Sequence, residues 1–67
     1  MRAEAKQLIN LIIEDLYQNV DRLETEIVLN QQEHPHIVPH LVSIQQSLRQ
    51  SLRLAEGCLV AAGEERS

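Results

Sequence analysis

The stretch of sequence that decides the fold is residues 9–27, INLIIEDLYQNVDRLETEI. Its apolar residues recur at steps that alternate between four and three, which is typical of a helix packed along one stripe against another helix. In heptad positions a to g, these residues are Ile13, Val20 and Ile27 at a, and Ile9, Leu16 and Leu23 at d. Neither Gly nor Pro occurs before Pro35. We therefore predict a helix over residues 3–31, about 43 Å long.

Two prolines, Pro35 and Pro39, follow this helix. A proline lacks an N–H and biases the preceding residue away from the helical conformation, but it is tolerated in the first turn of a helix. We therefore predict a turn at residues 32–35 and a second helix over residues 36–62. Gly63 stands where a helix-ending C′ residue is expected, and the tail, 63–67, is predicted to fray.

The second helix also carries one apolar stripe, with a spacing near 3.6: Ile37, Leu41, Ile44, Leu48, Leu52, Ala55, Leu59 and Ala62. Two helices of similar length joined by a short turn fold back antiparallel. The sequence therefore predicts an all-α, single-domain two-helix hairpin over residues 1–67. The expected neighbours are Ile27 with Leu41, Leu16 with Leu52, and Ile9 with Leu59, while the small Ala55 and Ala62 face Ile13 and Ile9.

The chain is too small to bury a large core. It has 67 residues, one Tyr and neither Phe nor Trp. Domains of this size bury only about 60% of the surface that the unfolded chain exposes. The single cysteine cannot form an internal disulfide and suits a reducing compartment. Oligomerisation or a partner chain is the remaining common means of stabilisation.

Composition also narrows the function. The net charge of −4, from ten acidic and six basic residues, argues against a nucleic-acid partner. The first residues lack the long apolar run of a signal peptide, and the most apolar window, residues 8–13, is too short to cross a bilayer. The sequence shows no Gly-rich phosphate loop and no paired nucleophile and base. We expect a cytoplasmic, non-enzymatic protein without a cofactor, a small-molecule substrate or a membrane partner.

Each helix carries more apolar residues than one stripe can bury. These additional residues are Leu8, Leu11 and Ile12 on the first helix, and Leu54, Cys58 and Ala61 on the second. A soluble monomer rarely leaves such a surface in water, and two helices have no third element to cover it. We predict that these six residues form a partner interface. Self-association or another chain would then complete a helical bundle.

Three smaller groups of residues allow more than one interpretation. His34, His36 and His40 near the turn could bind a metal or sense pH, but a solvated turn is the simplest interpretation, and we predict no metal site. Cys58 has no histidine nearby in sequence, so we interpret it as a thiol packed in a helix interface rather than a reactive one. Arg49 and Arg53 either contact RNA or form an intrachain ion pair, Arg53 with Glu14 or Asp15.

A known family shares this outline. The chain has a long acidic first helix, a short turn and the Gln-rich stretch 45–52, QQSLRQSL, which leads into Ala55 and residues 59–62, LVAA. Over residues 8–62 it resembles the small co-chaperones of bacterial type III secretion needles. The resemblance implies a bacterial helical hairpin that pairs with a tetratricopeptide-like chaperone, and the pair together holds the needle subunit soluble in the cytoplasm. It assigns no individual functional residue.

Two functions are therefore predicted. In the first, the chain is a chaperone-like or assembly subunit that masks apolar helices of a partner. In the second, it is a homodimeric four-helix regulator that binds RNA or another small regulatory target, as small plasmid-copy-control hairpins do.

Overall fold

The computed structural model describes residues 1–63, which form two long helices and a short connection. Helix α1 spans Ala3–Glu33, a 3₁₀ turn spans Pro35–Ile37, and helix α2 spans Val38–Ala61. The two helices pack against each other as an antiparallel hairpin, and the described residues contain no strand. The predicted all-helical hairpin is confirmed.

The prolines set the boundaries of the helices. His34 directly precedes Pro35 and leaves the helical conformation at φ −140° and ψ 62°, while its N–H still donates to the Asn30 carbonyl at 2.9 Å. Helix α1 therefore runs to residue 33, two residues beyond the predicted end. Residues 35–37 form the 3₁₀ turn, so α2 begins at Val38 rather than at residue 36, with Pro39 in its first turn.

Glycine ends the second helix as expected. Gly63 has a φ of 75°, in the left-handed region, and its N–H donates to the Val60 carbonyl at 3.0 Å. Helix α2 ends at Ala61, one residue before the predicted end. The prediction of fraying for residues 64–67 lies outside the described residues.

The core lies in the half of the hairpin away from the turn, which we name the open end. Ile13, Leu52 and Leu59 are buried there in one cluster, and Ile9, Leu16 and Ala55 pack against it. The predicted proximity of Leu16 to Leu52, of Ile9 to Leu59 and of Ala55 to Ile13 agrees with this cluster. Val20 is the fourth buried hydrophobic residue among residues 1–63.

Two members of the predicted stripe on α2 are exposed. Ile44 remains 49% exposed, and Ala62 is exposed because it follows the last residue of the helix. In place of Ile44, the neighbouring Gln45 is buried. The buried residues of α2 are spaced by seven, at Gln45, Leu52 and Leu59. Two helices that wrap around each other bury residues with an average spacing of 3.5 residues. The predicted spacing of 3.6 residues departs from this by one residue, which is why Gln45 takes the place of Ile44.

The a/d stripe of α1 also includes a polar residue beyond the last apolar one. Asn30, seven residues after Leu23, is buried near the turn. Its Nδ2 donates to the Glu26 carbonyl oxygen at 2.7 Å and to the Glu26 carboxylate at 3.1 Å. Because both bonds lie within α1, Asn30 can be buried without an unsatisfied amide. Near the turn, the a/d stripe therefore includes a buried polar residue among its apolar ones.

Truncation of the fully buried Ile13 tests this description of the core. Ile13→Ala is expected to lower the free energy of unfolding by about 2–5 kcal/mol, because it removes transfer energy and leaves a cavity. Val28→Ala, at a position that is 65% exposed on the same helix, is the control and should cost less than about 0.5 kcal/mol. Urea denaturation followed by circular dichroism measures both values. Equal losses for the two variants would contradict the proposed position of the core.

Candidate protein-interaction surface

The six residues predicted as a partner interface are all exposed. Leu8 is 62% exposed, Leu11 55%, Ile12 53% and Leu54 66%, and Cys58 and Ala61 are also exposed. They lie on residues 8–12 of α1 and 54–61 of α2, so the antiparallel pairing places them together at the open end. We name these six residues the open-end patch.

The cause of this exposure is local crowding in the sequence. Five of the six residues from Leu8 to Ile13 are apolar, and a helix can direct only one in every three or four toward a single neighbour. Ile9 and Ile13 occupy the d and a positions and enter the core. The other three apolar side chains therefore point away from α2.

An ion pair shows which flanks of the two helices lie side by side. The Arg49 guanidinium contacts the Glu24 carboxylate at 3.1 Å. Glu24 is at position e of α1. With Gln45, Leu52 and Leu59 at a, Arg49 is at position e of α2. Positions e and g flank the a/d stripe on opposite sides, so the two g positions share the other side of the hairpin.

The open-end patch lies on this second side. Ile12 of α1 and Cys58 of α2 are at position g, while Leu8, Leu54 and Ala61 are at the neighbouring position c. Leu11, at position f, is on the outermost ridge of α1 next to Leu8. The patch is therefore one continuous surface contributed by both helices.

Cys58 does not pack between the two helices of one chain. Its side chain is exposed on the g flank, and it forms no disulfide. The position follows from the heptad, because its neighbour Leu59 takes the a position and is buried. A contact through Cys58 therefore requires a second chain.

The three histidines lie around the turn and do not form a common site. His34 and His36 make an edge-to-face contact with ring centroids 6.1 Å apart, and all three histidines are exposed. Within residues 1–63, no group of three or more His, Cys, Asp or Glu side chains is arranged to hold a metal ion. The pH-sensing interpretation stays a prediction.

The arginines differ from the expected pairing. Arg49, rather than Arg53, forms an ion pair with an acidic residue of α1. Arg53 is at position b and Glu14 is also at b, so both point away from the interface between α1 and α2. Arg49 and Glu24 are about half exposed, at 50% and 58%, so the pair contributes little to stability. RNA contact by Arg49 and Arg53 stays a prediction.

Gln45, like Asn30, was not predicted from the sequence to be buried. It is buried at position a of α2, and its Nε2 donates to the Val20 carbonyl of α1 at 3.4 Å. A polar residue at such a position favours one register over others at a cost in stability. Gln45 therefore helps to keep the α1 and α2 parts of the open-end patch side by side along the axis of the hairpin. Its position seven residues before Leu52 was the available signal.

Comparison with known proteins identifies no relative. No protein-family model, curated protein or solved structure matches the chain. The resemblance to type III secretion co-chaperones therefore stays a prediction. Among the residues that the structure describes, neither helix has an apolar stretch long enough to cross a membrane.

Replacement of Gln45 tests its role in the register. Gln45→Leu is expected to raise the free energy of unfolding by about 1 kcal/mol, because leucine adds apolar burial and the hydrogen bond that it removes is long. Gln46→Leu, at the adjacent exposed position, is the control and should change it by less than about 0.5 kcal/mol. Thermal and urea denaturation measure both effects. A loss of more than about 1 kcal/mol for Gln45→Leu would show that the hydrogen bond outweighs the added apolar contact.

Proposed function

We propose that this chain is a non-enzymatic interaction module that covers apolar helices of a partner protein with its open-end patch. The observation that carries the proposal is the exposure of Leu8, Leu11, Ile12 and Leu54, each more than half accessible, at one end of a folded hairpin. Large apolar side chains clustered on one surface are typical of protein contact sites.

The energetics of the fold favour such a contact. Four hydrophobic residues are buried among residues 1–63, and four of the exposed large ones belong to the open-end patch. Full burial of a leucine or isoleucine contributes about 1.5–3 kcal/mol, so covering side chains that are already partly buried adds roughly 1 kcal/mol each. The total is a few kcal/mol, which is comparable to the roughly 3–5 kcal/mol that the core of so small a domain supplies. A partner would therefore stabilise this hairpin substantially.

The architecture agrees with a chaperone-like role. A narrow two-helix surface fits along an apolar helix of another protein and excludes water from it, which prevents that helix from aggregating. The resemblance to type III secretion needle co-chaperones makes a secreted helical subunit the proposed client and the bacterial cytoplasm the proposed site of action. The unpaired Cys58 is compatible with that reducing compartment.

A charge placed in the patch tests the proposal. Leu11→Asp should abolish association with the partner, because it places a carboxylate in an apolar contact. Tagged wild-type protein and Leu11→Asp are expressed in the organism of origin, and the proteins that each one captures are quantified by mass spectrometry. We expect the partner to be lost at least tenfold with Leu11→Asp.

The control for this experiment is Val28→Asp, which adds the same charge to an exposed valine of the same helix outside the patch. It should capture the partner as well as the wild type does. Circular dichroism establishes that both variants are folded. Equal capture by the wild type and Leu11→Asp would show that the patch does not contact a partner protein.

A further inference from the structure

We infer that, in the absence of another partner, the face that contains most of the open-end patch is covered by a second copy of this chain. In this dimer, α1 of each copy packs antiparallel against α2 of the other, and both turns lie at the same end. The inference rests on the proposed function only in taking this face as a contact surface. It adds which molecule covers this face, how the two copies are oriented and which residues of the two copies lie opposite each other.

Helix α2 carries a second stripe beside its a/d stripe. It follows positions g and c, with steps that alternate between three and four: Ile44, Ser47, Ser51, Leu54, Cys58 and Ala61. All six residues are exposed, and each is small or apolar. A heptad stripe of this composition allows another helix to approach closely along the whole length of α2.

Helix α1 carries a matching stripe on the same side of the hairpin: Ala5, Leu8, Ile12, Asp15, Asn19, Arg22, Glu26 and Leu29. These residues are also exposed. The stripe is apolar at the open end, polar in the middle and apolar again at Leu29. The stripe of α2, followed from residue 61 back to residue 44, has the same order, with its serines in the middle.

A single antiparallel register brings like residues of two copies together. It aligns the apolar residues Ala5 with Ala61, Leu8 with Cys58 and Ile12 with Leu54. Leu8 against Cys58 also pairs a large side chain with a smaller one, which helix packing favours.

The polar part of the two stripes matches in the same register. Asn19 lies opposite Ser47, so two neutral polar side chains meet. Glu26 lies opposite His40, which pairs a carboxylate with an imidazole that can donate a hydrogen bond to it. Arg22 opposite Ile44 is the one unlike pair, and the long arginine side chain can reach solvent past the isoleucine.

The orientation follows from this order. If the two turns lay at opposite ends, the apolar Leu8 and Ile12 of one copy would meet the polar turn half of the other. With the turns at the same end, every neighbouring pair of helices in the four-helix bundle is antiparallel, so opposite ends of the helix dipoles lie side by side. The contact is then isologous, as in most homodimers.

The area is sufficient for a stable dimer. The hairpin is 47 Å long and about 15 Å wide, so one face covers roughly 700 Å² on each copy. Specific protein interfaces bury about 600–1,000 Å² per partner, and this face falls within that range. The opposite face is less suitable, because its flank carries the exposed Glu24–Arg49 ion pair.

The first experiment measures mass by light scattering over a range of concentrations. The wild-type chain is expected to have twice the monomer mass of 7.7 kDa at about 100 µM. Leu54→Asp should raise the dimer dissociation constant at least about 100-fold, because two carboxylates would enter the apolar contact. Val60→Asp, at a similarly exposed position of α2 outside the stripe, should leave it unchanged. A monomeric wild-type chain, or a fully dimeric Leu54→Asp variant, overturns the inference.

The second experiment tests the register by disulfide trapping. Leu8→Cys should form disulfides with Cys58 of the other copy under mild oxidation and give a covalent dimer on a non-reducing gel. Gln7→Cys, one residue away on the far side of α1, is the control and should remain uncrosslinked. Replacement of Cys58 by Ser in the Leu8→Cys protein should abolish the product. A product of monomer mass, or one that persists without Cys58, overturns the arrangement.

The two proposals fail in distinguishable ways. Leu11, at position f, lies outside the predicted contact between copies. If the wild-type chain is a monomer but Leu11→Asp still loses the partner, the dimer is wrong and the proposed function stands. If the trapped dimer forms but Leu11→Asp and the wild type capture the same proteins, the face serves self-association instead.

Discussion

The structure depends on one constraint: α1 and α2 have only each other to pack against, so each can bury one stripe of side chains. The open end satisfies this constraint with Ile13, Leu52 and Leu59, and the residues one step away from them stay in solvent. The buried a/d stripe and the exposed open-end patch lie side by side at the same end of the hairpin. The core and the candidate contact surface are therefore adjacent on the same two helices. Whatever covers the open-end patch would lie directly beside the core.

The apolar content of the a/d stripe is uneven along the hairpin. Asn30 and Gln45 occupy buried positions in the half that contains the turn, and both amides have partners there. These residues contribute register and hydrogen bonding, whereas most of the hydrophobic stabilisation comes from the open end. Association at the open end would therefore act on the part of the molecule that holds the two helices together. Folding and binding are expected to be coupled in this chain.

The proposed function and the proposed dimer involve overlapping but unequal surfaces. A second copy would cover positions g and c, including Leu8, Ile12 and Leu54, and would leave Leu11 on the outer ridge of α1. A client helix would have to displace the second copy, because both need the same apolar positions. Such competition would keep the apolar surface covered until a client is present, and the free energy of client binding would be reduced by the free energy of the dimer.

The sequence by itself determined the elements and their pairing. The heptad repeat in residues 9–27 predicted α1, the two prolines predicted the turn, and Gly63 predicted the end of α2. The excess of apolar residues from Leu8 to Ile13 predicted an exposed patch, since a helix of any register can bury only part of such a run.

Only the tertiary structure decided which neighbouring residue enters the contact between the helices. Gln45 rather than Ile44 is buried, and Arg49 rather than Arg53 reaches an acidic partner on α1. Ile44 and Gln45 are one residue apart, and Arg49 and Arg53 are about one helical turn apart. These choices depend on how two supercoiled helices align over their full length, a long-range property that local spacing within one helix does not fix.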